Sequence, residues 1–221
     1  MSDGAKLATD VDDGHAGRMD RMYRTQRHIY DLTRKYYLFG RDRTIARLSV
    51  PPQGTLLEVG CGTGRNLLLA QSLYPTARFY GLDISAQMLV SARANFRGKA
   101  IQPVFEVSDA TKFNAAEFGV TGFDRILISY ALSMIPDWEA AIGASLSALA
   151  PGGSLHVVDF GQQENLPPWC GKTLKSWLKR FHVNPRPDLR EVLERRAQAI
   201  GGRLEFEEIG RGYAWHAIIH A

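Results

Sequence analysis

Leu56-Leu57-Glu58-Val59-Gly60-Cys61-Gly62-Thr63-Gly64-Arg65-Asn66 is the stretch whose reading decides the fold. Its apolar opening reads as a buried strand, its three glycines at alternate positions as a tight strand-to-helix turn, and Leu67-Leu68-Leu69-Ala70 as the helix that follows. Glycine, lacking a Cβ, reaches φ > 0 cheaply and lets a ligand come close to the backbone. The following helix aims its free N–H groups and positive dipole end into the same space, so a polar ligand is expected there. Such a turn alone also serves dinucleotide enzymes and ligand-free bends. The next strand narrows the choice, because Ala77-Arg78-Phe79-Tyr80-Gly81-Leu82-Asp83 ends in a carboxylate roughly 20 residues beyond the turn, where a doubly wound fold places an acid on a ribose. The glycines run G-x-G-x-G, so the pyrophosphate fingerprint G-x-G-x-x-G is not fully met.

Working outward, 221 residues with 45% hydrophobic content suit one globular domain with appendages. No apolar run approaches the roughly 20 residues of a membrane span. The opening Met1-Ser2-Asp3-Gly4-Ala5-Lys6 lacks an apolar segment, so a cytoplasmic location is expected. Two distant cysteines, Cys61 and Cys170, suggest no disulfide framework, and six histidines without a close Cys/His cluster suggest no metal. The formal charge of +4 is unevenly placed. Arg18 to Arg43 and Lys172 to Arg186 are both basic and rich in aromatic residues. One such run reads as a solvated helix face; two interleaved with large apolar side chains favour an anionic surface.

In chain order, residues 1–17 read as a disordered tail and 18–50 as an N-terminal helical lid that includes a short helix over Thr44–Leu48. Residues 51–221 form an α/β domain with a basic amphipathic insert at 163–186. Ser85–Phe96 is the second crossover helix and Ile101–Val107 the third strand, which runs into Asp109-Ala110. Asp109 could serve a ligand or cap a local helix from Thr111. The fourth strand, Phe123–Tyr130, enters Ala131-Leu132-Ser133-Met134-Ile135-Pro136-Asp137-Trp138, an apolar pocket in which Ser129 and Tyr130 are the polar groups. A helix over Glu139–Ala150 and a strand over Leu155–Phe160 repeat the β-α-β rhythm, with Asp159 at the strand end. His156 reads more readily as a core histidine than as a catalytic one. In the insert, Cys170, Leu174, Trp177, Leu178 and Phe181 share one helical stripe opposite lysines and Arg180, the composition of a helix lying in a membrane interface or packed on its own domain. A helix over Asp188–Ile200 and a hairpin of Arg203–Ile209 with Tyr213–His220 complete the chain. Alternation of Tyr213, Trp215, Ala217 and Ile219 predicts a strand with one buried face.

Glu58-Val59-Gly60-Cys61-Gly62-Thr63-Gly64 with Gly81-Leu82-Asp83-Ile84-Ser85 resembles the motifs of class I S-adenosylmethionine-dependent methyltransferases. The resemblance implies a Rossmann-like, seven-stranded, mostly parallel sheet with helices on both faces, and S-adenosylmethionine as cofactor. It places Glu58, Gly60, Cys61, Gly62 and Gly64 against the amino acid part, Asp83 on the ribose with Ile84 and Met88 beside it, and Asp109 and Ala110 on the adenine, with Ser129 nearby. Ile29-Tyr30-Asp31-Leu32 and Phe39-Gly40-Arg41-Asp42-Arg43 are similar to the ubiquinone/menaquinone-type branch, which implies that Tyr30 folds over the cofactor with Tyr36 and Tyr37 behind it.

Met19–Arg24, Arg27–Tyr37, Ile128–Trp138 and Asp159-Phe160-Gly161-Gln162-Gln163 resemble the bacterial N-methyltransferases that complete betaine-lipid synthesis, converting diacylglycerylhomoserine to its trimethyl form. That likeness implies a lipid-headgroup substrate, peripheral attachment to an anionic membrane, and Tyr30, Tyr130 and Asp159 as the catalytic groups, with no nucleic acid as partner. Alternatives are a phosphatidylethanolamine N-methyltransferase, a C-methyltransferase of quinone precursors, or a nucleic-acid-binding protein that uses the same basic stretches.

Overall fold

The structure, a computed structural model, describes residues 38–163 and 183–221. The expected tail, most of the lid with Tyr30, Tyr36 and Tyr37, and the body of the basic insert lie outside the described residues. Within them, helix α1 (Arg41–Ala46) precedes β1 (Thr55–Val59), α2 (Arg65–Leu73), β2 (Arg78–Asp83), α3 (Ala86–Asn95) and β3 (Val104–Val107). A 3-10 turn (Ala115–Phe118), β4 (Phe123–Ser129), α4 (Trp138–Ser147), β5 (Leu149–Phe160), α5 (Leu189–Ala199), β6 (Arg203–Ile209) and β7 (Ala214–His220) follow.

The strands form one seven-stranded sheet in the order β3-β2-β1-β4-β5-β7-β6. β1 to β5 run parallel, and β7 pairs antiparallel with both β5 and β6. Every residue of β1 is buried, as a central strand covered on both faces requires. Leu56 packs with Ile45, Leu67, Leu89 and Phe96, so α1, α2 and α3 cover one face. Leu57 and Val59 face the opposite core with Ile142, Val192 and Leu193 of α4 and α5. The strand order reverses direction at β1, and the crevice at the carboxyl ends of β1 and β4 is where an open α/β sheet binds its ligand.

The expected elements shift in several places: the short helix expected over Thr44–Leu48 spans Arg41–Ala46, and the local helix expected from Thr111 is only the 3-10 turn Ala115–Phe118. β5 begins at Leu149 instead of Leu155, because the Pro151-Gly152-Gly153 segment stays in the strand across a register shift opposite Phe123 and Arg125. The third strand starts at Val104 and not at Ile101. The predicted single buried face of the last strand is also corrected. β7 lies between β5 and β6, so Trp215, Ala217 and Ile219 enter the α5 core while His216 and Ile218 are buried on the other face. On that face Glu207 of β6 pairs with Arg43 at 2.8 Å and Arg47 at 2.7 Å, which ties α1 and the residue that follows it to the sheet.

Candidate functional site

The glycine turn is held from below by β2. Gly60 and Cys61 both donate their N–H to Leu82 O at 2.9 Å, which turns the chain out of the sheet straight after β1. Gly60 sits at φ 71°, and a Cβ there would come within 2.8 Å of the Ala131 Cβ, so the residue has to be glycine for both reasons. Gly64 caps α2 at φ 75°; a Cβ there would press on the Phe96 ring at 3.1 Å. Gly64 therefore serves helix–sheet packing and does not line either cleft around the turn.

Those two clefts meet at Gly60. The larger, about 340 Å³, runs over the ends of β2 and β3 and is lined by Asp83, Ile84, Met88, Asp109 and Ala110, with Tyr130, Ala131, Met134, Ile135 and Pro136 on its apolar side. The smaller, about 280 Å³, lies over the amino end of α2 between Glu58, Cys61, Asn66, Ser129 and Arg41. Residues chosen from the sequence for a cofactor thus divide between the two chambers.

Asp83 joins the two motifs. One carboxylate oxygen accepts from Gly62 N and the other from Ser85 N, each at 2.9 Å, while Ser85 Oγ caps α3 through Met88 N. Asp109 lines the cleft and closes a local turn; the helix expected from Thr111 is only the 3-10 turn Ala115–Phe118, and Asn114 caps that. Its Oδ1 accepts from Thr111 N and Thr111 Oγ1, and Lys112 Nζ stands 3.6 Å from Oδ2. Partial burial works against its charge, but the Thr111 hydrogen bonds and Lys112 outweigh that and hold its pKa below the usual carboxylate value. Glu58 is buried and accepts from Asn66 Nδ2 at 2.6 Å. Burial, with Asp83 and Glu58 near, pushes the Cys61 thiol well above its ordinary pKa, so it stays protonated and unreactive. The Ser129 hydroxyl is buried and has no hydrogen-bond partner among the described residues.

Two of the groups chosen as catalytic are placed differently from expectation. Tyr130 reaches the cleft from a left-handed backbone (φ 54°), its ring packed on Phe160 at 4.7 Å. Its hydroxyl donates to Phe39 O, and burial followed by Tyr213 and Asp159 raises its pKa well above 10.0. It is a neutral tether for the segment that leads into α1. Asp159 is 2% exposed and lines neither cleft. Its carboxylate accepts from Ser133 N at 3.1 Å and Phe160 N at 2.7 Å, and burial raises its pKa to about 6. It braces the acceptor wall from behind. The third, Tyr30, lies outside the described residues. His156 is a core histidine, bonded through Nε2 to Ser154 Oγ at 2.9 Å and depressed by burial to a pKa of about 3.

Two functional residues were not legible as such. Arg186, counted with the basic insert, turns inward: Nε donates to Leu132 O, Nη2 donates to Ile135 O, and the guanidinium lies 5.8 Å from the Trp138 ring. With Asn184 N on Ser133 O it pins the apolar wall. Arg41, counted with a basic run expected to face an anionic surface, is 5% exposed and lines the smaller cleft. The available signal was spacing, since Arg41, Ile45 and Leu48 fall on one helical stripe and all three are buried.

A family model described as a methyltransferase domain matches residues 52–204. Trans-aconitate 2-methyltransferase from Variovorax paradoxus is 34% identical over 113 residues, 51% of this chain and 41% of that protein. A ubiquinone/menaquinone biosynthesis C-methyltransferase from Desulfotalea psychrophila is 28% identical over 146 residues, 64% of this chain and 57% of that one. Demethylmenaquinone methyltransferase from Thermus thermophilus is 30% identical over 136 residues, 59% of this chain and 60% of its own length. The chain thus spans between 41% and 60% of the length of these curated relatives. Among solved structures, a plantazolicin methyltransferase in complex with a substrate analogue and SAH superposes with a TM-score of 0.71 at 14% identity, covering 95% of this chain and 94% of that one. At that identity the likeness is one of fold.

Proposed function

Because the chain belongs to the methyltransferase-domain family through residues 52–204, we propose that it moves a methyl group from S-adenosylmethionine to a nucleophile on a largely apolar acceptor. The observation that carries this reading is the junction at Gly60: a chamber with a ribose-type acid and an adenine-type acid opens there on one side to an apolar wall and on the other to a buried polar pocket. The donor fits these residues. Asp83 offers carboxylate oxygens at the end of β2, Ile84 and Met88 supply apolar contact, and the unpartnered Ser129 hydroxyl sits buried in the chamber left for the amino acid part.

When bound, S-adenosylmethionine supplies a methyl already activated on a sulfonium. The protein therefore has mainly to align and to exclude water, holding the nucleophile about 3–3.5 Å from the carbon it attacks. The wall of Ala131, Met134, Ile135 and Pro136 does this, braced by Asp159 and Arg186. The same apolar surface favours the neutral form of an amine, the form with a lone pair to donate. The Tyr130 hydroxyl, committed to Phe39, acts on the lid end and leaves the proton to the acceptor's own surroundings.

Two acceptor classes follow. The named relatives, two of which act in quinone biosynthesis, support the ring carbon of a quinone precursor. Resemblance of segments 19–37, 128–138 and 159–163 to betaine-lipid N-methyltransferases, together with the basic insert, supports the amine of a diacylglycerylhomoserine headgroup at an anionic membrane surface. Incubation of the full chain with labelled methyl donor and either demethylmenaquinone or diacylglycerylhomoserine in vesicles decides between them. Label in neither lipid, with donor binding intact, removes both acceptor classes; no donor binding removes the methyltransferase reading itself.

A further inference from the structure

The smaller cleft contains a charge that the nucleoside side of the site does not explain. Arg41 lies on α1, before the matched domain begins, yet its guanidinium is almost wholly buried against the glycine turn. Its one ion pair among the described residues is with its own neighbour: Nε and Nη2 both reach Asp42 Oδ1 at 3.0 Å, and the Asp42 side chain is 66% exposed. A pair with a solvated carboxylate is weak. Burying a guanidinium is costly without a well-placed anion, and Arg41 still has N–H groups not used by Asp42. Around the same cleft stand Glu58, 1% exposed, and the Ser129 hydroxyl, buried and without a partner among the described residues. A buried cation, a buried anion and an idle hydroxyl within one 280 Å³ chamber are complementary to a zwitterion.

We infer that Arg41 binds the α-carboxylate of the donor's amino acid part, with Glu58 facing the ammonium, so that α1 of the lid is a working part of the donor site. This rests on the methyltransferase reading. Arginine suits the task because its planar fork matches a carboxylate in two parallel hydrogen bonds. Arg65 also lines the cleft but is exposed on the first turn of α2, where solvent screens its charge. Arg43 and Arg47 on Glu207 tie α1 to β6, and Ile45 and Leu48 pack it against Leu67 and Ala70 of α2, so the position of Arg41 is fixed from both the sheet edge and the helix that follows the glycine turn.

The test is calorimetric, on the full chain, with two ligands: S-adenosylhomocysteine and its decarboxylated analogue, 5′-deoxy-5′-(3-aminopropyl)thioadenosine. The wild type is expected to prefer the carboxylate-bearing ligand about 30-fold, the factor that one charge-assisted pair supplies. Arg41→Gln should bind the two ligands alike, with the affinity for the decarboxylated analogue unchanged. Arg41→Lys keeps a buried cation and should retain part of the preference, which guards against a glutamine variant that does not fold. Arg65→Gln should keep it entirely. Equal losses for both ligands in the Arg41→Lys variant, or a preference that disappears with Arg65, overturn the assignment. A wild type that binds neither ligand overturns the methyltransferase reading beneath it as well.

Discussion

Asp83 joins the two motifs through both carboxylate oxygens, and in the proposed donor site the same side chain faces the ribose. Asp83→Ala removes charge-assisted hydrogen bonds worth about 1.5–3 kcal/mol each, so donor affinity by calorimetry should fall on the order of 100-fold. The midpoint of thermal unfolding should fall too, as Gly62 N and Ser85 N lose their acceptor. Unchanged affinity would remove the ribose assignment. Tyr130→Phe separates tether from base: the ring stays on Phe160, the bond to Phe39 O is lost, and stability should drop by about 1 kcal/mol, ~2–4 °C in Tm. The limbs of the pH–rate profile should stay where they are, and a lost limb would restore Tyr130 as a proton acceptor. The places of Asp83, Asp109, Gly60 and Gly62 around the cleft were legible because they follow from strand ends, which sequence marks well. Asp159 also stands at a strand end, but its side chain is turned behind the wall, and only the three-dimensional neighbours Ser133 and Phe160 reveal that. Arg41 was hidden by the habit of charged residues to lie outside.

Among elements, the β5-β7-β6 edge departs furthest from expectation. A period-two pattern identifies one face of a strand, and Trp215, Ala217 and Ile219 were read correctly on that basis. The opposite face, with His216 and Ile218, is buried as well, and two histidines in a neighbouring strand pair do not look like a core pattern. What covers it includes α1, fixed by exposed ion pairs on Glu207. Nearby Arg43 and Arg47 hold the Glu207 carboxyl below its usual pKa against the opposing effect of burial. Such pairs are worth about 0.2–1 kcal/mol each and are screened by salt. Glu207→Ala should therefore lower stability by no more than about 2 kcal/mol in dilute buffer. The deficit against wild type should shrink in 1 M salt, where the Debye length is about 3 Å. A deficit independent of salt would mean that α1 is held by Ile45 and Leu48 packing alone.

At the scale of the whole molecule, His156, His216 and Asp159, all buried, make stability depend on pH between 7 and 5. Burial holds His156 at about 3 and His216 at about 4, both below the ordinary histidine value. Below about pH 6.5 the unfolded chain takes up protons that these folded histidines refuse, so stability falls with pH until their folded values are reached. Asp159 acts in the opposite sense, since a folded pKa near 6 means that the native state gains a proton before the unfolded one. Between pH 7 and pH 5 the two histidines should prevail and Tm should decline. In Asp159→Asn the decline should be steeper, because the opposing contribution is gone; a shallower one would reverse the sign assigned to Asp159. Among the described residues the order of strands and helices was legible, as strand, helix and turn signals repeat in sequence, whereas the acceptor was not, because the wall beside the cleft is built from generic apolar residues. One further consequence lies in the pairing of Ser154 with His220. During synthesis β5 leaves the ribosome with its outer edge bare and waits for a partner encoded more than one helix and one strand later, so for that interval the nascent domain carries an open edge to which a neighbouring polysome chain, or a chaperone, could attach.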